Sequence, residues 1–360
     1  MANEPTHPVT LSTVARYAGV STSTVSRVLN NKGELSEETR RKVFNAIQTL
    51  GYRPSLVAQG LRKKDSHLIG LMIPEILSPI FAELALGVEM KASEANYTVA
   101  HSNTLYSPER EKSGLLYLLD RYVDGVVCYS PHLPENELIP LLNQIGASVV
   151  VNLPVPDSQV GELYVDNVQG MRMVITHLVD QGYKKIAYFA LSSSSWNGRE
   201  REKAFIQILQ DLGLPFEPRM ILNIDRDLQQ DNQQNLDLDY SLIPEDAIEN
   251  GEWAARRFLE MSPDLDAIIA FNDLCAVGIL RTLIKAGKRV PEEIAVVGFD
   301  NSVIGSKFMP SLTSAGMLNV DIGRQAAQML IDHLEGQIPL QKINLPFTLY
   351  PRESTLRKTF

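Results

Sequence analysis

With 360 residues, 44% of them hydrophobic and 21% charged, the chain is too long for one small domain and too apolar for a disordered one, and its formal net charge of -9 argues against nucleic acid only on average. No apolar run approaches the roughly 18 residues of a membrane helix. The opening MANEPTHPVTL lacks the basic-then-apolar order of an export leader, and Cys128 and Cys275 each stand alone in an apolar stretch. A cytoplasmic protein with two reduced core thiols is expected. The charge is unevenly spread: residues 1–65 hold 10 Lys and Arg against 5 Asp and Glu, and the remainder holds 24 against 38. A basic head on an acidic body suits a phosphate-contacting module joined to a domain that does not touch DNA.

In chain order, Thr10 precedes LSTVARYAG, where Leu11, Val14, Ala15 and Ala18 fall at helical spacing between an N-cap and a stop at Gly19. Ser21 caps a second predicted helix through Leu29, with Val25, Val28 and Leu29 turned inward. A third begins after Ser36 in SEETRRKVFNAIQTLG and turns Val43, Phe44, Ile47 and Leu50 inward before Gly51. Two short helices joined by a Gly-containing turn and braced by a third form a helix-turn-helix. The second helix then points Thr22, Ser23, Ser26 and Arg27 outward. Short hydroxyl side chains allow close approach to a DNA groove, and Arg27 can reach guanine O6 and N7 together. Alone, these hydroxyls would equally be caps and surface residues; the basic balance and the next segment favour DNA.

That segment is GYRPSLVAQGLRKKDS. Pro54 stops the third helix, and Ser55 can cap a very short one, Leu56 to Arg62, whose apolar Leu56, Val57, Ala58 and Leu61 have nothing in the head to pack on. A lone helix this short is unstable in water, and Gly60 costs it about 1 kcal/mol relative to Ala. It is either a linker or a hinge that folds on DNA beside a second copy, with Leu61 wedged into the minor groove. The candidate DNA contacts are therefore Thr10, Ser21, Thr22, Ser23, Ser26 and Arg27, followed by Ser55, Ala58 and Leu61.

From Ser66 strand-like runs (HLIGLMI, YTVAHS, DGVVCY, ASVVVN) alternate with helical segments from Pro79 to Ala95, Pro108 to Tyr122 and Glu135 to Ile145. A second series follows, with strands KIAYFAL, MILNI, AIIAF and IAVVGF and helices Val168 to Gln181, Arg199 to Leu212, Gly251 to Met261 and Cys275 to Ala286. Such alternation predicts two α/β lobes with parallel sheets and a ligand at the strand C-terminal ends between them. Asn272 and Asp273 follow AIIAF, Asp300 follows AVVGF, and Arg201 lies in the first turn predicted after KIAYFALSSSSWNG. A carboxylate, an amide and a guanidinium suit a polyhydroxyl ligand, since each pairs with adjacent hydroxyls. Asn272 and Asp300 equally suit Asx caps after a strand, and spacing alone leaves both roles open. Asp166, in YVDN, caps a helix or meets the ligand, and Trp196 stacks on a sugar face or packs the lobe. No GxGxxG, P-loop, metal spacing, paired carboxylates or activated nucleophile stands out, so neither an enzyme nor a metal or cofactor is expected.

The head and hinge (VTLSTVARYAGVSTSTVSRVLN, then GYRPSLVAQGL) resemble those of the LacI/GalR family of bacterial transcription regulators, and the likeness runs to the C-terminus. It implies an all-α helix-turn-helix head (1–53), a hinge (54–65), and a two-lobed α/β body of the type I periplasmic-binding-protein kind (66–355). The first lobe would comprise 66–164 and 316–346, the second 165–315 and 347–355. It also implies a homodimer on a pseudo-palindromic double-stranded operator and a small-molecule effector, a carbohydrate, controlling operator affinity. A purine or nucleoside effector is the alternative within the same architecture; a solute-binding protein would need an export signal and have no use for residues 9–62, and a sugar-acting enzyme would need the paired carboxylates, activated nucleophile or cofactor motif that do not stand out here. By resemblance Thr22 and Ser23 discriminate half-sites, Arg27 reads bases and Leu61 intercalates. Arg201, Asn272 and Asp300 become the effector contacts, joined by Ser78, Ile80 and Phe81 from the first lobe, while Asp273 is a local structural residue. The chain departs from the family's pattern at Gly60, and at Asp246 and Met317, where family members carry an aromatic and a polar pocket residue. It also carries a long Asn/Gln/Asp-rich stretch over 225–240, a surface insertion or a lid.

Overall fold

The structure is a computed structural model that describes residues 9–29, 35–52, 66–155, 159–190, 195–223, 226–227, 244–261 and 264–357. It divides into two units, Met1–Ser66 and His67–Phe360. The hinge candidates Ser55, Ala58 and Leu61, and nearly all of the 225–240 stretch, lie outside the described residues.

In the head, α1 (Leu11–Ala18), α2 (Thr22–Leu29) and α3 (Glu37–Leu50) close on a small core of Val14, Ala15, Val25, Val28, Val43 and Ala46. The α1 and α3 ends are set as their sequences require. Thr10 accepts from the Thr13 amide at 3.3 Å in a capping box, Ser36 accepts from the Thr39 amide at 3.3 Å, and Gly19 and Gly51 end their helices at φ 69° and 61°. One expected core residue is not there: Phe44 is 53% exposed. It lies about 100° round the helix from Val43, and Val43 and Ala46, three residues apart, already fill the face that α3 turns to the core.

In the body, β1 (Leu68–Ile73), β2 (Thr98–Asn103), β3 (Gly125–Tyr129), β4 (Ala147–Val151), β5 (Gly161–Val165) and β11 (Lys342–Leu345) form one sheet, ordered β11-β5-β4-β3-β1-β2. The second contains β6 (Ile186–Ala190), β7 (Ile221–Asn223), β8 (Ala267–Ala270), β9 (Ala295–Phe299), β10 (Thr313–Gly316) and β12 (Thr348–Tyr350), ordered β12-β10-β9-β8-β6-β7. Every pairing is parallel except β10 with β12. The central strands GVVCY, ASVVV, IAYFA and AVVGF are buried along their whole length, because helices cover both faces. The chain crosses between the lobes three times: from β5 to β6, from β10 to β11, and from β11 to β12.

The covering helices are α4 (Pro79–Glu94), α5 (Pro108–Asp120), α6 (Glu135–Ile145), α7 (Asn167–Asp180), α8 (Trp196–Asp211), α9 (Pro244–Met261), α10 (Asp273–Lys285), the short α11 (Val303–Lys307) and α12 (Asn319–Leu334). Two pairs cross at reciprocal glycines. A Cβ on Gly87 of α4 would sit 2.0 Å from the Val320 carbonyl of α12, and one on Gly323 would sit 2.1 Å from the Leu84 carbonyl of α4. Gly251 of α9 and Gly278 of α10 repeat the arrangement against Cys275 and Ile248. This corrects the expected helix start at Gly251: α9 begins at Pro244, and Gly251 is an interior position kept bare for backbone contact. α8 likewise starts at Trp196, capped by Ser195, which moves Arg201 into the second turn.

Candidate functional site

On the head, α2 buries Val25 and Val28 and exposes Thr22, Ser23 and Arg27, while Ser26 is half-buried. Ser21 accepts from the Thr24 amide at 3.1 Å and lies 2.7 Å from the Ser23 hydroxyl, so its oxygen is engaged at the helix start. Thr10 is engaged likewise at α1. The exposed α2 face therefore consists of small hydroxyl groups with one guanidinium, and it can approach a groove closely.

The second site lies where the C-terminal ends of the two sheets meet. Arg201, half-buried on α8, is fixed on three sides. Its Nε donates to Asn167 Oδ1 at 2.8 Å, its Nη1 donates to the Phe271 carbonyl at 2.8 Å, and its carbon centre lies 4.2 Å from the Phe299 ring centroid. Asn167 in turn donates to Asn197 at 2.8 Å. A guanidinium tethered in this way presents its remaining edge without further loss of rotamer freedom.

Asp300 follows directly on β9 and adopts φ 114°, with Asn301 at φ 52°. A side chain in that region is held by its surroundings: the Asp300 amide donates to the Ala315 carbonyl at 2.9 Å, and the Asp273 amide at the start of α10 donates to its carboxylate. Burial and the charge of Asp273 push the Asp300 pKa well above the usual carboxylate range, against the pull of Arg201. Asp273 is buried as well and pushed up to about 6, an effect of burial that hydrogen bonds from Ser314 and Ser302 oppose. The two serines hold it at 2.6 to 2.8 Å, which makes Asp273 part of the frame under the site.

The first lobe supplies an aromatic wall. Phe81 meets Tyr129 at 5.1 Å and Tyr106 at 6.5 Å, both edge-on, and Tyr106 meets His132 at 5.8 Å. Burial raises the phenol pKa of Tyr106 and Tyr129, and the charge of Asp300 adds to it in both, so these rings stand within electrostatic reach of the second lobe's carboxylate. Asn152 donates to the Tyr129 hydroxyl, which keeps the phenol proton available to another acceptor. Glu83 of α4 binds the lobes directly: it accepts from Asn319 at 2.8 Å and from the Val303 amide of the second lobe at 3.4 Å.

Thus Arg201, Asp300 and Phe81 converge on one cleft. Asn272 adjoins them, and its Oδ1 caps α10 by accepting from the Cys275 amide at 2.8 Å. Asp166 caps α7 through the Gln169 amide at 2.9 Å. Ser78 occupies the N-cap position of α4 and makes no capping bond with its side chain. Ile80, Trp196 and Met317 are half-buried, with Ile80 and Met317 packed on the core; Asp246 lies in α9, but its side chain is outside the described residues. Sequence reasoning missed Asn167, Asn152, Tyr106, Tyr129 and Phe299. Asn167 and Phe299 adjoin predicted residues, and Tyr129 and Asn152 close predicted strands, a positional signal, whereas Tyr106 owes its place to the fold.

Three family models cover the chain. Residues 10–55 match bacterial regulatory proteins of the lacI family, 66–248 match the periplasmic binding proteins and sugar binding domain of the LacI family, and 175–355 match a periplasmic binding protein-like domain. The ribose operon repressor of Halalkalibacterium halodurans is 33% identical over 96% of this chain and 97% of its own. The HTH-type transcriptional regulator CelR of Thermobifida fusca is 31% identical over 91% and 92%. Among solved structures, the lac repressor dimer bound to operator and the anti-inducer ONPF superimposes with a TM-score of 0.81 at 26% identity, over 98% of this chain and 100% of that one. The CelR–cellobiose complex gives 0.65 at 30% identity, over 96% and 99%.

Proposed function

Because the chain belongs to the LacI family of bacterial regulatory proteins, we propose that it is a cytoplasmic, homodimeric repressor whose affinity for a pseudo-palindromic operator is set by an uncharged polyhydroxyl effector, a sugar or sugar derivative, bound between the lobes. The observation that carries the effector class is the composition of the cleft. One tethered guanidinium and one carboxylate face an aromatic wall, the arrangement that pairs with adjacent hydroxyls while covering the C–H face of a ring. Phosphorylated or acidic ligands are disfavoured, since the one guanidinium of Arg201 is set against two carboxyl groups, Asp300 and Glu83. The relatives that match are transcriptional regulators rather than enzymes.

The ligand joins groups of the first lobe to Asp300 and Arg201 of the second, and so favours one lobe angle over another. Operator affinity responds only in so far as the DNA-competent form binds that ligand with a different affinity. A thermal-shift panel on the full-length protein tests this, using neutral sugars, sugar phosphates, polyols, nucleosides and purine bases. A ligand at 100 times its Kd adds about 2.7 kcal/mol of stability. A neutral-sugar hit that Asp300→Ala abolishes supports the reading. A hit among phosphates or purines, or one that Asp300→Ala leaves intact, overturns it.

A further inference from the structure

Nothing in the sequence points to Arg352, in the last strand-to-terminus stretch PRESTLR, yet its side chain reaches the turn that carries Asp300. Its Nη2 donates to Asn301 Oδ1 at 2.6 Å, its Nη1 donates to the Leu312 carbonyl at 2.6 Å, and its backbone amide donates to Thr313 Oγ1 at 2.7 Å. One guanidinium thus ties the residue after Asp300 to the start of the neighbouring strand β10. The same turn is held by Asn301 N–H on Ser314 Oγ at 2.9 Å, and that hydroxyl donates to Asp273 at 2.6 Å. Gly316 leaves room for the turn: a Cβ there would lie 2.6 Å from the Asp300 carbonyl carbon.

Two consecutive residues other than glycine at positive φ do not persist unless their surroundings fix them. Asn tolerates the left-handed region because its carboxamide can bond locally; here that carboxamide is spent on Arg352 instead. We propose that Arg352 is a positioning residue for the effector site: by gripping Asn301 it holds the turn at which Asp300 points its carboxylate into the cleft. Without the grip the turn relaxes, and the carboxylate leaves its place beside Tyr129 and Arg201. Arg352 lies two residues past the end of β12, the strand into which the third crossing between lobes leads, so the strap that joins the lobes also ends on the ligand-binding turn.

The proposal rests on Asp300 as an effector contact, but its test needs no effector. In the full-length protein labelled with ¹³Cγ-aspartate, the Asp300 carboxyl is assigned by its loss in Asp300→Asn, and its titration is followed alongside amide hydrogen exchange. Asn301→Gly keeps the left-handed backbone and removes the acceptor, Arg352→Lys keeps the charge and loses the fork, and Asn301→Asp keeps an acceptor and serves as rescue. In the first two variants Asp300 is expected to titrate closer to an ordinary carboxylate, and the 300–302 amides to exchange at least tenfold faster, while β9 and β6 keep wild-type protection. Asn301→Asp should retain wild-type exchange. Unchanged titration and exchange in Asn301→Gly and Arg352→Lys, or a uniform loosening of the whole lobe, would overturn the proposal. If Asp300→Ala fails to affect ligand binding, the effector reading falls separately, with the clamp itself still judged by these spectra.

Discussion

Arg201→Lys separates charge from geometry at the effector cleft. The ammonium keeps its attraction to Asp300, but one nitrogen cannot reach both Asn167 Oδ1 and the Phe271 carbonyl, each now at 2.8 Å, and still present a pair of donors to a ligand. A hydrogen bond from a charged donor contributes about 1.5–3 kcal/mol, so losing one ligand bond of this kind is expected to raise the effector Kd by about 10- to 150-fold. A buried carbonyl left without a donor costs about 1–3 kcal/mol of stability besides. At about 2–4 °C per kcal/mol for a lobe of this size, the melting temperature of the free protein should drop by several degrees. Isothermal titration with the hit from the ligand panel, beside a melt of the ligand-free protein, reads both quantities. Effector affinity within threefold of wild type would refute the argument, because it would mean that the tethered fork contributes nothing that a point charge cannot supply.

Gly87→Ala forces a methyl to within 2.0 Å of the Val320 carbonyl and 3.0 Å of the Arg324 amide, both backbone atoms. Overpacking of this kind costs about 1–3 kcal/mol or more, beyond the gain of up to about 1 kcal/mol in helix propensity; a wild-type melting temperature would contradict the crossing described. Effector affinity should fall as the pH drops through the raised range in which Asp300 takes up its proton, above that of an ordinary carboxylate, since ligand hydroxyls donate to its ionised form and its pKa is raised by burial and by Asp273. The stability term from Asp273 has the opposite sign. Its raised pKa, about 6, stabilises the fold fully below the unfolded value and is lost as pH rises through that range, a trend to be read from chemical denaturation in wild type against Asp273→Asn. In the head, Arg27→Ala should cost about 1–3 kcal/mol of specific operator binding. Leu61→Ala should weaken the operator complex without altering effector affinity; an unchanged operator Kd in a mobility-shift titration would remove Leu61 as a wedge.

The elements most readily read from the chain are those whose environment is uniform. Runs such as AVVGF and IAYFA are buried on both faces, so their apolar continuity announces them, and Thr10, Gly19, Ser36 and Gly51 mark helix ends through local chemistry. Strands β5, β10, β11 and β12, three to five residues long and mixed in character, carry no such periodicity. The cleft divides the same way. Asp300 and Asn272 could be found because a polar residue directly after a buried strand is conspicuous. Asn152 carries the same signal, directly after buried β4, and was passed over; Tyr106 could not be found, since it acquires meaning only when partners distant in sequence are brought to it. Phe44 failed for the converse reason: hydrophobicity states a preference for burial, and the small core had no vacancy for an aromatic ring.

The reciprocal glycines bear on how a signal passes through such a molecule. Where helix backbones touch, with no side chains between them to repack, a lobe has few internal ways to yield, and deformation collects in the three connecting strands. The body then behaves mechanically as two stiff plates on a common set of straps, with essentially one soft coordinate. Any occupant of the cleft, whatever its chemistry, can report only a position along that coordinate. Residues facing the cleft are thereby free to change what is recognised without changing the form in which recognition is transmitted.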